Sequence, residues 1–165
     1  MSGFPPIAVR QPRPFDLVDD PVVVSGVGTG FEGVFEARVR DGNGTQLVQV
    51  TINAGGTGIW ANYYTTLALG SVPATPQGTL EVFESSAKDA SDINKIVVPI
   101  TFGTALINPY HGFAQDTVQS GDTLSALAQR WYGDPNVWSR IFEANRDQLV
   151  NPNVIHPGQV LRIPQ

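Results

Sequence analysis

Cysteine is absent from the 165-residue sequence. Its absence excludes disulfides, thiolate nucleophiles, Cys-ligated zinc and iron–sulfur clusters, and it leaves the redox compartment undetermined. Charged residues are also scarce, at 15% of the chain, against about a quarter in an average protein. The 10 lysines and arginines form no cluster, and the net charge is -5. Because nucleic-acid recognition needs a basic surface, we expect no nucleic-acid partner.

Long apolar runs are missing as well. No stretch is long enough to span a membrane, and the N-terminal residues MSGFPPIAVRQPRPFD lack the apolar core of a signal peptide. We therefore expect no membrane span and a cytoplasmic location by default. Association with the cell envelope would require a route that the sequence does not reveal.

Glycine and proline are plentiful, at 17 and 13 residues, and the apolar fraction is 41%. These values favour a globular chain of short strands joined by turns. The first hundred residues contain at least five β-prone runs, some of them alternating apolar and polar side chains: 21–25, 34–40, 45–52, 79–83 and 95–102. Residues 41–44, Asp-Gly-Asn-Gly, have the composition of a hairpin turn. Residues 1–104 are therefore predicted to form a β-sandwich.

The pattern changes after an aperiodic stretch, residues 105–114, which we interpret as a linker. The rest of the chain, residues 115–165, reads as strand, helix, helix and strand. The first helix is predicted to begin after an Asp122 N-cap and to end at Gly133. A second helix should begin at Asp134-Pro135. Trp131, Trp138 and Phe142 stand at helical spacing among apolar residues, so we expect them in the core.

The C-terminal segment resembles the LysM family along almost its whole length. The resemblance is carried by the opening SGDTL, the YGD between the helices, the asparagine after the second helix and the closing PGQVLRIP. It implies a βααβ fold and a shallow groove between two loops that binds N-acetylglucosamine-containing glycans such as peptidoglycan or chitin. The glycan-binding residues that it implies are Gly121, Asp122, Thr123, Leu124, Asn153, Val154, Ile155 and His156.

The N-terminal region is similar to the Gmad2 domain, an immunoglobulin-like module named from spore-germination proteins. Two stretches carry this similarity, QPRPFDLVDDPVVVSGVGTGFEGVFEARVRDGNG and GTLEVFESSAKDASDINKIVVPITF. The resemblance covers roughly residues 7–102 and implies an immunoglobulin-like sandwich. It also implies an accessory or assembly role, with contacts to a protein partner.

Motifs that would indicate catalysis or cofactors are weak. Residues 28–33 satisfy G-x-G-x-x-G, but the following residues alternate like a strand, whereas a nucleotide site needs a helix there. His111 and His156 are far apart, and His156 is expected to be an exposed loop residue. Glu84, Asp89 and Asp92 lack the spacing of a calcium loop and are expected to be solvated. We expect no catalytic residues, metal ligands or cofactor.

Together these features predict a two-domain, non-enzymatic binding protein. In the leading hypothesis the LysM module binds a peptidoglycan-type or chitin-type glycan while the sandwich contacts a protein. In the alternative, both modules bind protein and the chain is an assembly adaptor, for example in a tail-like or injection machine, because similar LysM modules are attached to such proteins.

Overall fold

The computed structural model describes residues 6–165 apart from the side chain of Phe31. Residues 1–5, which the sequence analysis assigned to the first module, lie outside the described residues. The described chain forms a β-sandwich followed by a smaller α+β unit, as expected. No helix within residues 6–165 is long and apolar enough to cross a membrane.

The sandwich has two layers. Its eight strands are β1 (Ile7–Gln11), β2 (Asp16–Val18), β3 (Val22–Gly28), β4 (Val34–Asp41), β5 (Gln46–Asn53), β6 (Ala61–Leu67), β7 (Gln77–Ser85) and β8 (Asp92–Phe102). One sheet has the order β1-β3-β6 and the other the order β2-β8-β7-β4-β5. All neighbours are antiparallel except β2 and β8, which are parallel.

The core of the sandwich follows from alternation along the strands. In β4, Phe35, Ala37 and Val39 are buried, while the residues between them face away from the other sheet. The Phe35 ring meets Tyr63 of β6 edge-on at 5.0 Å between centroids, which joins the two sheets. The predicted hairpin turn is confirmed, because the Asp41 carboxylate accepts hydrogen bonds from main-chain amides within the turn.

The outer face of the five-stranded sheet carries an ionic network. The Arg38 guanidinium donates to Glu81 and, at 2.5 Å, to Asp92, and it lies 4.4 Å above the Phe83 ring. Glu84 is also buried, at 8% exposure, and accepts a hydrogen bond from the Asn94 side chain. The expectation that Glu84 is solvated is therefore wrong, while Asp92 is half-buried within the ionic network. Strand pairing places cationic and amide partners over these carboxylates, which linear spacing does not reveal.

The C-terminal unit is the expected βααβ fold. It consists of β9 (Phe113–Thr117), α2 (Leu124–Tyr132), α3 (Ser139–Ala144) and β10 (Val160–Pro164), with β9 and β10 antiparallel. A short 3₁₀ turn at Pro135–Val137 precedes α3, and Asp134 caps it as predicted. The predicted helix stop is also confirmed, because Gly133 has a φ of 74°.

The predicted N-cap of α2 is wrong by one residue. Thr123 is the N-cap, and its hydroxyl accepts a hydrogen bond from the Ala126 amide at 3.1 Å. The Asp122 carboxylate instead accepts from the amide of Gln119 at 2.9 Å, which closes the loop before the helix. Asp and Thr are both favourable N-cap residues. Thr123 caps the helix because the Asp122 carboxylate is already bonded to the Gln119 amide.

Asn145 ties the helices of the C-terminal unit to its sheet. Its side chain is fully buried and donates to the carbonyl of Ile141 at 2.7 Å and to that of Arg162 at 2.8 Å. Its Oδ1 accepts from the Arg162 amide at 2.8 Å. The end of α3 is thereby held against β10 with the buried amide satisfied.

The segment between the modules is packed. It begins with a short helix, α1 (Gly103–Leu106), and both Leu106 and Tyr110 are buried. Burial, together with the nearby charge of Asp19, raises the pKa of Tyr110 to about 12. Whether residues 1–104 and 115–165 fold independently, with 105–114 as a linker, stays a prediction.

Direct contacts also join the two modules. The Gln77 side-chain amide donates to the carbonyl of Glu143 at 3.0 Å and to its carboxylate at 2.9 Å, while the Gln77 Oε1 accepts from Thr101. The guanidinium of Arg162 donates to the carbonyl of Phe15 at 3.1 Å. These bonds fix the smaller module on the end of the sandwich where β7 begins.

Candidate functional site

A groove lies on the C-terminal module between the loop that precedes α2 and the loop that precedes β10. Its volume is about 270 Å³. The residues that line it are Asp122, Thr123, Leu124, Ser125, Trp138, Pro152, Asn153 and Ile155.

The first wall is the loop and first turn of α2. Gly121 supplies a left-handed backbone, with a φ of 87°, which a side chain would strain. The hydroxyls of Thr123 and Ser125 lie 3.0 Å apart and present polar groups to the groove. The Asp122 carboxylate is already engaged with the Gln119 amide. This wall therefore offers hydroxyl groups together with a carboxylate that is satisfied by the protein.

The second wall is the loop between α3 and β10. The side-chain oxygen Oδ1 of Asn151 accepts a hydrogen bond from the main-chain amide of Asn153 at 2.9 Å. This bond turns the chain at Pro152. The Asn153 side chain is exposed at the groove, and Ile155 packs partly against the core of the module. The loop thus presents one amide and apolar surface opposite the hydroxyls.

The floor is apolar. Leu124 is buried at 3% exposure, and Trp138 is 37% exposed. The Trp138 ring packs against Phe142 with centroids 6.3 Å apart, so part of the indole is held by the core while the remainder lines the groove.

The core assignment of two tryptophans is wrong. Phe142 is buried as expected, but Trp131 and Trp138 are each 37% exposed. Trp138 has helical backbone angles and its carbonyl accepts from the Phe142 amide at 3.2 Å, so it shares the helical period of Phe142, but it stands at the start of α3, where that face borders the groove. Trp138 is therefore a groove residue that was not predicted from the sequence. The sequence feature that could have indicated this role is the nearby Asp134-Pro135, which begins a new helical segment just before Trp138.

Five of the eight residues implied by the LysM resemblance line the groove: Asp122, Thr123, Leu124, Asn153 and Ile155. Gly121, Val154 and His156 do not. Gly121 shapes the first loop, while Val154 and His156 are exposed beside the second wall. The main-chain amide of His156 donates to Gln159 at 3.1 Å, so this residue contributes to the loop through its backbone. That any of the eight binds a glycan stays a prediction.

A polar cluster lies behind the first wall. The Asp116 carboxylate accepts from the Trp131 indole at 2.6 Å and from Arg130 at 2.7 Å. Arg130 also lies 3.6 Å from the groove residue Asp122. Burial alone would raise the pKa of Asp116, but the hydrogen bonds and the Arg130 charge outweigh it and hold that pKa below its usual value. The cluster joins β9 to α2 and supports the loop.

The groove is suited to an uncharged ligand. No lysine or arginine lines it among the described residues, and its single carboxylate is engaged. Hydroxyls and an amide around a small apolar floor are the groups that orient a neutral polar ligand. Within residues 6–165, no group of three or more His, Asp or Glu side chains could hold a metal ion.

The G-x-G-x-x-G segment is a turn, as expected. Residues Phe31–Gly33 form a short 3₁₀ turn that leads directly into β4, with Glu32 and Gly33 in left-handed conformations. No helix N-terminus follows the motif, so it offers none of the converging amides of a pyrophosphate site.

Two family models match the chain. The one described as the immunoglobulin-like domain of bacterial spore germination, Gmad2, matches residues 6–91. The LysM domain model matches residues 117–164. The last strand of the sandwich, β8, begins just after the first match ends.

Curated relatives share only part of the chain. Potassium binding protein Kbp of Escherichia coli is 57% identical over 49 residues, which are 30% of this chain and 33% of that protein. An esterase of Mycobacterium tuberculosis is 45% identical over 64 residues, 39% of this chain and 13% of the esterase. An uncharacterized protein of Deinococcus radiodurans is 46% identical over 48 residues, 29% of this chain and 18% of that protein. The chain thus spans a third or less of the length of these relatives.

Proposed function

The chain belongs to the Gmad2 family and carries a C-terminal LysM domain, and from this premise we propose that it is a non-enzymatic glycan-binding protein. The LysM domain implies a module of the type that binds peptidoglycan and related glycans. In this chain, the groove beside Trp138 would hold a glycan that contains N-acetylglucosamine.

The position of Trp138 carries this proposal. A tryptophan side chain normally buries its large apolar ring, yet this one leaves 37% of its surface open in a concave site. The packing against Phe142 limits the freedom of the ring, so a ligand would lose little entropy in ordering it. An apolar sugar face or an N-acetyl methyl group would cover the exposed part of the indole.

The polar groups of the groove support the same ligand class. Thr123, Ser125 and Asn153 supply hydroxyl and amide groups, which pair with sugar hydroxyls and N-acetyl amides. The cavity of about 270 Å³ is at or below the size of a typical small-molecule site. We therefore expect weak binding of a short glycan segment, and tight retention on a cell wall would need several copies.

The sandwich would contact a protein partner while the LysM groove holds the glycan. The two modules are joined through Gln77 and Arg162, so the groove would be presented at a fixed orientation to that partner. The location of the protein in the cell stays a prediction from the sequence.

An assembly adaptor is the second candidate. The same contacts favour it, because the LysM module docks on the sandwich through side chains that a freely tethered glycan binder would not need. In that case both modules would bind protein, and the groove would carry no glycan.

Titration of the isotope-labelled full chain with chitin oligomers and muropeptides separates the two candidates. Glycan binding should shift the amide resonances of Thr123, Ser125 and Asn153 and the indole resonance of Trp138. Because the ligand is uncharged and the one carboxylate of the groove, Asp122, lies beside Arg130, the affinity should change little between low and high salt. Shifts confined to one wall, or none at millimolar oligomer, would defeat the glycan proposal and leave the adaptor.

A further inference from the structure

Strand β6 (Ala61–Leu67) is an outer strand of the three-stranded sheet. It pairs with β3 along its whole length, without a register shift. Within residues 6–165, the main-chain groups of β6 bond to no other segment. In an antiparallel pair, the main-chain groups of alternate residues point away from the neighbouring strand. Alternate residues of β6 therefore leave their amides and carbonyls open along this edge.

The edge of β6 lacks the features that usually prevent an outer strand from pairing with another chain. These features are charged side chains, proline, bulges and short length. β1 has Arg10 and a register shift beside it, and β2 has only three residues. β5 is uncharged, but its pairing with β4 is shifted at one end. β6 has seven residues and none of these features, and residues 54–80 carry no charge.

The outward face of β6 is exposed and includes an aromatic ring. Alternation along the strand places Asn62, Tyr64 and Thr66 on this face, and Tyr64 is 70% exposed. Trp60 comes just before the strand and is 45% exposed. Aromatic and β-branched residues favour the pairing of strands. An uncharged strand rich in tyrosine and threonine thus stands open at the side of the sandwich.

We propose that two copies of the chain associate through β6, with the two strands antiparallel about a two-fold axis at Tyr64. The pairing would join the two three-stranded sheets into one continuous sheet. A two-fold axis brings the same surface of each copy into contact, so the strand must be complementary to itself.

The sequence of β6 meets this requirement. Pairing centred on Tyr64 brings the two copies of that side chain together, and aromatic cross-strand pairs stabilise a sheet. Asn62 would lie opposite Thr66, with which it can share a hydrogen bond. The large Trp60 would lie opposite the small Ala68. Because none of these residues is charged, identical strands meet without like-charge repulsion, which favours a second copy over a partner of opposite charge.

This inference goes beyond the proposed function and would serve it. Each LysM module is fixed to its sandwich through Gln77 and Arg162, so a dimer would hold two grooves in a defined arrangement. Two weak sites on one assembly retain a polymer more tightly than one site does. Self-association is measured without any glycan, so its failure is distinguishable from the failure of the glycan proposal.

Sedimentation equilibrium of the full chain, from micromolar to millimolar concentration, tests the proposal. We expect a monomer–dimer equilibrium without larger species, because a two-fold contact is closed. Hydrogen exchange should slow with rising concentration at alternate amides of β6 and stay unchanged at those of β1, the other outer strand of the sheet. The proposal is overturned by a chain that stays monomeric at millimolar concentration, or by an association that leaves the amides of β6 unprotected.

Two substitutions at Tyr64 test the position of the two-fold axis. Because this side chain is 70% exposed, Tyr64→Lys and Tyr64→Glu should both fold. Each variant places like charges opposite each other and should weaken the dimer by roughly fivefold or more. An equimolar mixture of the two should associate more tightly than either alone, because opposite charges then face each other. A mixture that associates no better than its components would contradict this pairing.

Val23→Lys is the matched control. Val23 is 40% exposed on β3 and pairs with Thr66, so it lies on the same face of the sheet but one strand away from the edge. The added lysine should therefore leave the association unchanged. Equal weakening by Val23→Lys and Tyr64→Lys would mean that the sheets pack face to face, and the proposed edge pairing would be wrong.

Discussion

The ring centroids of Trp138 and Phe142 lie 6.3 Å apart. The two side chains stand on the same face of α3, and Phe142 packs into the core while Trp138 lines the groove. Phe142 is 9% exposed and belongs to the hydrophobic core, while Trp138 is 37% exposed and lines the groove. The pair therefore links the stability of the module to the shape of the proposed binding site. It also means that a change at Trp138 must be judged against both properties.

Trp138→Ala should strongly weaken glycan binding while leaving the module folded. A fully buried aromatic costs about 3–5 kcal/mol on truncation to alanine, and more than a third of Trp138 is exposed. We expect a loss of about 2 kcal/mol in the free energy of unfolding and a loss of at least roughly tenfold in oligomer affinity. Chemical denaturation and the amide titration measure the two effects on the same sample.

Trp131→Ala is the matched control for Trp138→Ala. Trp131 has the same 37% exposure, but it lies outside the groove and donates to Asp116. Its removal should lower stability, and because Arg130 still holds Asp116 and Asp122, the affinity for chitin oligomers should not change. Equal losses of affinity in the two variants would mean that Trp138 acts through folding alone.

Asn153→Arg should block the groove without disturbing the fold. The Asn153 side chain is exposed at the second wall, and it is the main-chain amide that bonds to Asn151. Thr123→Arg is a poorer choice, because it removes the N-cap of α2 and a cap is worth about 1 kcal/mol. We expect Asn153→Arg to abolish the ligand-induced shifts with melting within a degree or two of wild type. Undiminished binding would place the ligand elsewhere.

Much of the fold could be predicted because the information is local. The βααβ order, the stop at Gly133 and the cap at Asp134 all follow from neighbouring residues. Strand β6 was missed, although its tyrosines and threonines are β-prone. Strand β2 has three residues and pairs with β8, far away in sequence, so no local pattern could reveal it.

The two loops that form the walls of the groove were predicted from the sequence, but Trp138, which lies on its apolar floor, was not. The resemblance named the two loops correctly as walls of a groove, since sequence order alone places them. Trp138 was assigned to the core because a helical period was continued from Ile141 and Phe142 through the junction with the 3₁₀ turn.

Asp116→Asn should make stability less dependent on pH. The pKa of Asp116 is held below its ordinary value in the folded chain, so its ionised form stabilises the fold above the pKa of the unfolded chain, about 3.9. That contribution is lost as the pH falls through the lower folded pKa. Wild type should therefore be more stable than Asp116→Asn at pH 6, and the difference should shrink toward zero near pH 2. Denaturant titrations at both pH values measure it, and a constant difference would contradict the assignment.

Gly103→Ala should destabilise the junction between the modules. Gly103 begins α1, and a Cβ at this position would stand 2.6 Å from the ring of Tyr110, which is buried. Because the ring is held between the modules, the backbone must shift, and forced overpacking of this kind costs about 1–3 kcal/mol. Gly56→Ala is the control, since a Cβ there would meet no atom within 4 Å, and it should change stability by no more than about 0.5 kcal/mol. Calorimetry of the full chain compares the two variants. Equal melting would show that Tyr110 moves aside freely and that the junction is looser than its packing implies.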